Sequence, residues 1–391
     1  MDSHRAGAHP GGRDPREHPP VREVLTERDV TATVTTVTGE IPVTELGVTL
    51  THEHLVNDVT SWAQRTTARG VDAEAYWDQP VDMSVLWELK NDPFGNLDNC
   101  RLDDLDLAAR ELARFRDLGG ATVIDTTSMN GGRNLPALRE LSRRTGVTII
   151  AGTGYYLDPS LPEGFAAFDS EDIAQQILAD LTVGVDGVRP GIIGEIGVGA
   201  EFPETERRSL RGAFLAQRET GLPVQVHLPA WFRRGHEVLD LAERSGVAPE
   251  SVVLCHMGPS GADVAYQHEL LGRGAWLQYD MIGMEVFYAD QGVQCPSDEE
   301  NAQRLADLAA AGHLSRLLIS QDIFLKSLLR EYGGPGYGHI LQYFVPRLRR
   351  LGFDTAAIDQ LLIANPRAML AGRAAAPSSH SPTPNATRRQ S

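Results

Sequence analysis

Three features of the sequence predict a closed α/β barrel of eight strand-and-helix units. Eight short runs, rich in β-branched residues, alternate with longer stretches of helical periodicity. Several of the runs are nearly continuous apolar stretches ending in a polar residue, as parallel strands buried on both faces do. No glycine-rich phosphate loop opens any of the helices, which counts against an open, doubly wound nucleotide-binding sheet. Eight such units in a core of about 340 residues favour the closed form.

The elements follow in chain order. The stretch 31–43, TATVTTVTGEIPV, reads as a small hairpin turned at Gly39-Glu40. The strands are expected at 48–52, 122–125, 147–153, 191–197, 224–227, 252–256, 275–280 and 317–322. The segment 105–120 keeps Leu and Ala at helical spacing and stops at a Gly pair. In 134–146, Asn134 is a helix cap, Pro136 sits in the first turn and Gly146 is the stop. The helices at 204–221 and 300–312 follow the same logic.

Composition narrows the function classes. The 391 residues hold 36 Lys and Arg against 53 Asp and Glu, a formal charge of −17. That acidic balance argues against a nucleic-acid partner, because phosphate backbones are bound through Lys and Arg. The chain has no apolar run long enough to span a membrane, and its first thirty residues lack the apolar stretch of a secretory signal. Three widely spaced cysteines, Cys100, Cys255 and Cys295, show no metal-ligand spacing and fit a reduced, cytoplasmic protein. Residues 1–30 and 374–391 are too poor in apolar side chains to offset their ordering entropy. They are expected to be disordered tails around one barrel domain at 31–373, and His4, His9, His18 and His380 to be solvated rather than ligating.

The sharpest local signal is Thr51-His52-Glu53-His54. Two residues apart on a strand, His52 and His54 project to the same face, and a first barrel strand would carry both to the C-terminal mouth. An H-x-H pair alone is weak evidence. The pattern gains weight because other strands carry His227, His256 and Asp322 at their ends and Glu195 within an apolar run. A carboxylate flanked by Ile193 and Ile196 demands a compensating charge. Four histidines and two carboxylates suit two borderline divalent cations such as Zn²⁺, Mn²⁺, Co²⁺ or Fe²⁺.

The set His52-Glu53-His54, Glu195, His227, His256 and Asp322 resembles the binuclear site of the phosphotriesterase branch of the amidohydrolase superfamily. The segments 47–55, 140–156, 190–197, 331–341 and 363–370 resemble it too, so the likeness covers about residues 31–372. It implies a distorted (β/α)₈ TIM barrel. Many members bridge their metals with a carboxylated lysine on strand four; here Glu195 stands there, and the only lysines are Lys90 and Lys326. A glutamate bridges two cations directly. In this respect, and in the long segment after strand one (60–67 through 89–99), the chain is most similar to phosphotriesterase-related proteins, which include an N-acyl-taurine-type amide hydrolase group.

By that resemblance His52, His54 and Asp322 hold the more buried metal, His227 and His256 the more exposed one, and Glu195 bridges. The implied cofactor is two divalent transition-metal ions, Zn²⁺ first. The implied activity is hydrolysis of a carboxylic amide, ester or lactone of a small molecule by a hydroxide shared between the metals, N-acyl amides favoured. Asp322 is the expected catalytic proton acceptor. A lactonase or phosphotriesterase activity, or a metal-binding barrel without catalysis that binds a partner, are the alternatives. A homodimer is a family expectation.

Glu53 faces the other side of its strand and is expected to support rather than ligate, and Cys255 to point away into the core. Substrate selection is assigned to the loops after the strands. The candidates there are Tyr155 and Tyr156 after strand three, Met129 and Asn130 after strand two, and Asp280, Glu285 and Tyr288 after strand seven. Tyr332, Tyr337 and His339 belong to a glycine-rich loop after strand eight with the makings of a lid, and His339 is a candidate substrate contact weighed against capping or packing in the last crossover. Arg133 is the nearest base for an anionic substrate, weighed against a helix-entry salt bridge. His236 and His313 read as surface residues.

Overall fold

In the computed structural model, which describes residues 32–64 and 75–372, eight parallel strands form one sheet in chain order. They are Thr49–Glu53, Thr122–Asp125, Thr148–Thr153, Ile192–Gly197, Val224–His227, Val252–Leu254, Trp276–Tyr279 and Leu317–Ile319. The eighth strand returns to the first: Asp322 N donates to His52 O at 3.2 Å and His52 N to Ser320 Oγ at 3.0 Å. The sheet is thereby nearly closed into the (β/α)₈ barrel that the alternation predicts. The tails at 1–30 and 374–391, with their four histidines, lie outside the described residues, as does the 60–67 stretch beyond residue 64.

The barrel is filled from within by Ile124, Ile150, Ile192, Val253 and Leu318, one from each of five strands. Val34 of the N-terminal hairpin, with Val43 and Leu46, joins the same cluster and so plugs one end of the cylinder. A larger apolar shell packs helices on the strands; Leu107, Leu112 and Phe115 of Leu105–Asp117 supply one face of it. Helix ends are set as the local chemistry dictates. Asn134 Oδ1 accepts from Ala137 N at 3.1 Å, and Gly146 closes that helix at φ 74°. Among the described residues no helix is long and apolar enough to cross a membrane.

Two of the boundaries that differ from expectation have a local cause. The hairpin pairs Thr36 with Gly39, so its turn is Val37-Thr38 and not Gly39-Glu40. The Thr36 hydroxyl decides this, accepting from Thr38 N at 3.2 Å and donating to Gly39 O at 2.6 Å. The helix expected at 300–312 is Asp298–Ala310, because Ser297 and Glu300 form a capping box two residues earlier.

Candidate metal centre

The six expected ligands come together at the C-terminal mouth of the barrel. Glu195 lies between two pairs of imidazoles: Oε1 is 3.5 Å from His54 Nε2, and Oε2 is 3.7 Å from His52 Nε2, 3.3 Å from His227 Nδ1 and 3.5 Å from His256 Nε2. Asp322 Oδ1 stands 3.6 Å from His52 Nε2 and 3.2 Å from His54 Nε2. Strand parity alone brings in His52, His54 and His227. His256 and Asp322 arrive differently. Their strands end at Leu254 and Ile319, and both adopt left-handed backbone, φ 59° and 52°. That conformation costs a non-glycine residue about 1–2 kcal/mol, and here it turns both side chains to the axis.

This departure corrects the reading of Cys255. With His256 off the strand alternation, Cys255 faces the barrel interior too, under the imidazoles rather than away from them. Its sulfur receives Gln278 Nε2 at 3.4 Å and reaches Gln225 Oε1 at 3.8 Å. The same two glutamines lie 3.0–3.1 Å from His52 Nδ1 and orient that ring. Burial holds the Cys255 thiol well above its usual range, so it is no nucleophile.

A ring of buried polar groups stands behind the donors. Asp280, expected at the substrate, is fully buried behind His256 instead: Oδ1 accepts from His256 N and meets His256 Nδ1, both at 2.9 Å. His54 Nδ1 meets Thr127 Oγ1 at 2.9 Å. Glu53 accepts from Ser320 Oγ at 2.7 Å and from Gln321 N and Ile323 N at 2.9 Å, gripping the chain on both sides of Asp322. Its burial pushes the Glu53 carboxyl up to about 7 against those three donors.

The donor set fits a divalent metal site. His52 Nε2 and Glu195 Oε2 are buried with no hydrogen-bond partner, a costly state for two polar atoms that face each other. Charge points the same way. Burial would push His52 down, yet Glu195, Asp280 and Asp322 hold it up to about 9. Burial likewise opposes charge on His256, and Asp280 raises it well above its usual value. Glu195, against its own burial, is held well below the carboxylate range by His52, His227 and His256. The cluster is rich in carboxylate and has only imidazoles to balance it; imidazole and carboxylate donors are what divalent transition ions take.

Above the donors opens a cleft of about 860 Å³, its open mouth included. Tyr156 and Tyr288 line it, with Tyr156 Oη 3.1 Å from His227 Nδ1. Four further aromatics, Trp62, Phe94, Trp231 and Phe324, were not anticipated. Trp231 and Phe324 were within reach of sequence reasoning, following His227 by four residues and Asp322 by two.

The other substrate candidates do not line the cleft. The Tyr155 hydroxyl bonds Gln176, and its ring packs 4.7 Å from Phe165. Asn130 donates to Ser160 O and Oγ at 3.0 and 2.8 Å and accepts from Tyr156 N at 3.0 Å, so it holds the tyrosine that does line the cleft. His339 Nε2 meets Asp298 Oδ2 at 2.7 Å, Tyr337 is buried and donates to His54 O, and Glu285 accepts from Asp298 N. Met129 and Tyr332 pack against apolar clusters. His236 pairs with Glu269 and His313 with His268. In the glycine-rich loop Gly334 N and Gly336 N bond to Leu329 O and Leu328 O, and Gly336 O accepts from Gln321 Nε2 at 2.7 Å.

Arg133 takes the salt-bridge role and not the substrate one. It makes a two-pronged pair with Asp180 at 2.7 and 3.1 Å and donates to Gly152 O at 2.7 Å, nearly out of solvent. Its role is to tie the loop after strand two to the helix Ser170–Thr182. Arg133→Ala leaves the Asp180 charge buried with only the Thr153 hydroxyl against it, so it is expected to cost about 3 kcal/mol of stability. Thermal denaturation reads this as a lower Tm, with little change in kcat/KM well below the new Tm; a lost turnover at unchanged Tm would instead place Arg133 at the substrate.

A sequence model of the phosphotriesterase family matches residues 32–370. The phosphotriesterase-related protein of Nematostella vectensis is 34% identical over 341 residues, covering 86% of this chain and 97% of that one. The N-acetyltaurine hydrolase of Danio rerio is 34% identical over 342 residues with the same coverage. Among solved structures, a resiniferatoxin-binding protein from Rhodobacter sphaeroides superposes with a TM-score of 0.85 at 47% identity, over 88% of this chain and 96% of that one.

Proposed function

The chain belongs to the phosphotriesterase family, and on that premise we propose a binuclear metal-dependent hydrolase that cleaves a carboxylic amide, ester or lactone of a small molecule, N-acyl amides first. One observation carries the reading: a single carboxylate, Glu195, set between two pairs of imidazoles, with Oε2 and the facing His52 Nε2 left without partners. We assign His52, His54 and Asp322 to one ion, His227 and His256 to the other, and Glu195 to both. The ligand atoms of His52, His54 and Asp322 gathered within 4.8 Å of one another support this. Zn²⁺ is the ion we favour, since it takes nitrogen and oxygen donors without a strong geometric preference; Mn²⁺, Co²⁺ and Fe²⁺ are the competitors.

Bound divalent ions supply an acidified water and polarisation of the substrate's acyl oxygen. The rest falls to the chain. Asp322 borders the cleft, and its carboxylate accepts the proton of the attacking water and returns it to the leaving amine or alkoxide. Glu53 keeps that carboxylate in place through Gln321 N and Ile323 N. Tyr156 and Tyr288 orient the substrate, and the aromatic walls exclude bulk water.

Three substrate classes decide the matter: N-acyl amides, lactones and paraoxon-like triesters, ranked by kcat/KM on protein whose metal content is measured beside it. Close to two transition-metal ions per chain and fastest turnover of the amides is the expected outcome. Faster triester cleavage would transfer the assignment to phosphotriester hydrolysis. A protein free of metal and inert towards all three would be a barrel without catalysis.

A further inference from the structure

Beneath the donors the barrel interior holds a chain of fully buried polar side chains. Gln225 comes from the fifth strand, Gln278 from the seventh and Asp280 from just past its end. Gln225 stands two residues before His227 and Gln278 two before Asp280, so strand alternation turns both amides inward. The chain begins at His52 on the first strand and ends at His256, and so crosses the cylinder.

Hydrogen-bonding capacity fixes the direction of the chain. Gln278 Nε2 lies 3.0 Å from Asp280 Oδ2, 3.2 Å from Gln225 Oε1, 3.0 Å from His52 Nδ1 and 3.4 Å from Cys255 Sγ, with two hydrogens to give. Gln225 Oε1 only accepts and also lies 3.1 Å from His52 Nδ1, while Gln225 Nε2 donates to Thr51 O at 2.9 Å. One assignment serves the strongest acceptors: His52 Nδ1 donates to Gln225 Oε1, and Gln278 donates to Gln225 Oε1 and Asp280 Oδ2. His52 Nε2, which faces Glu195, then keeps its lone pair for an ion. At the far end Asp280 Oδ1 accepts from His256 Nδ1 at 2.9 Å, which leaves His256 Nε2 in the same state. The chain comes at a cost, since Gln278 Oε1 is buried without a hydrogen-bond partner.

We propose, resting on the two-ion assignment above, that Asp280, Gln278 and Gln225 form one positioning belt that ties His52, a ligand of one ion, to His256, a ligand of the other. Gln278 is the joint. Breaking the joint loosens both ion positions, whereas breaking an end loosens one. Thr127, 2.9 Å from His54 Nδ1, stands outside the belt and serves as the control. Zn²⁺ titration of the full-length protein, stripped of metal and set against a competing chelator, reads the ions as two binding steps. Gln278→Met keeps the length of the side chain and removes its amide, and is expected to weaken both steps about tenfold or more. Gln225→Met and Thr127→Val are each expected to weaken one step and leave the other in place. Gln278→Asn, which keeps the amide but draws it back by one methylene, is expected to give the two-step pattern where the methionine variant does not fold.

A parent with two steps, of which the Gln278 variants move one or neither, overturns the belt and leaves the metal centre standing. Controls that weaken both steps as much overturn it too, because the centre then loosens as a whole. Thermal denaturation of the stripped proteins separates support of the ions from support of the fold. A lower Tm at unchanged affinities would make Gln278 a packing residue only. A parent that takes up no ion overturns both the belt and the assignment it rests on.

Discussion

Asp322→Asn is expected to lower kcat/KM by about 10³-fold, within the range of a lost general base, while the protein stays folded. Asparagine keeps the size of the side chain and one carbonyl oxygen, so Oδ1 can still face His52 Nε2 and His54 Nε2 from 3.6 and 3.2 Å. What disappears is the basicity of the carboxylate that borders the cleft. The backbone around it does not depend on the substituted group, because Glu53 grips Gln321 N and Ile323 N rather than Asp322 itself. A kcat that collapses at near-unchanged metal content and Tm is the expected signature. Turnover equal to the parent would remove Asp322 as proton acceptor, and loss of both ions would reduce it to a ligand.

Glu195→Gln is expected to act on binding and chemistry together. The carboxylate is the one group within 3.3–3.7 Å of all four imidazoles, and its neutral analogue brings an amide nitrogen that donates where a donor atom is wanted. Metal content is expected to fall well below one ion per chain, with turnover near background. Stability supplies an independent reading. A ligand present at about 100 times its Kd stabilises a fold by about 2.7 kcal/mol, which for a chain of this size is a Tm shift of roughly 3–4 °C. Chelation should therefore lower the Tm of the parent by that amount and leave Glu195→Gln unmoved. A variant that retains two ions would end the bridging assignment.

Much of the fold was legible because strand alternation is local. Each of the eight expected runs overlaps an observed strand, and His52 and His54 share a face through period-two geometry alone. The apolar setting of Glu195 announced a charge that must be balanced. The losses came where side chains override the backbone pattern. One Thr36 hydroxyl moved the hairpin turn by two residues, and left-handed His256 broke the parity by which Cys255 was placed outside. The substrate candidates were chosen by proximity to strand ends, a criterion that does not separate lining from bracing. Asn130, Arg133 and His339 proved to brace.

The order of side chains along the chain determined the barrel, the residues able to bind metal and their place at one mouth, since all three follow from periodicity and strand polarity. Folding in three dimensions decided which of them face one another and what stands behind. The Glu53 grip on the segment around Asp322 joins residues 267 to 270 positions apart. Glu195 meets His54 from three strands away, and the aromatic walls of the cleft gather from separate loops. Such contacts depend on the closure of the sheet, which brings its first and last strands side by side, and local sequence pattern does not encode that distance.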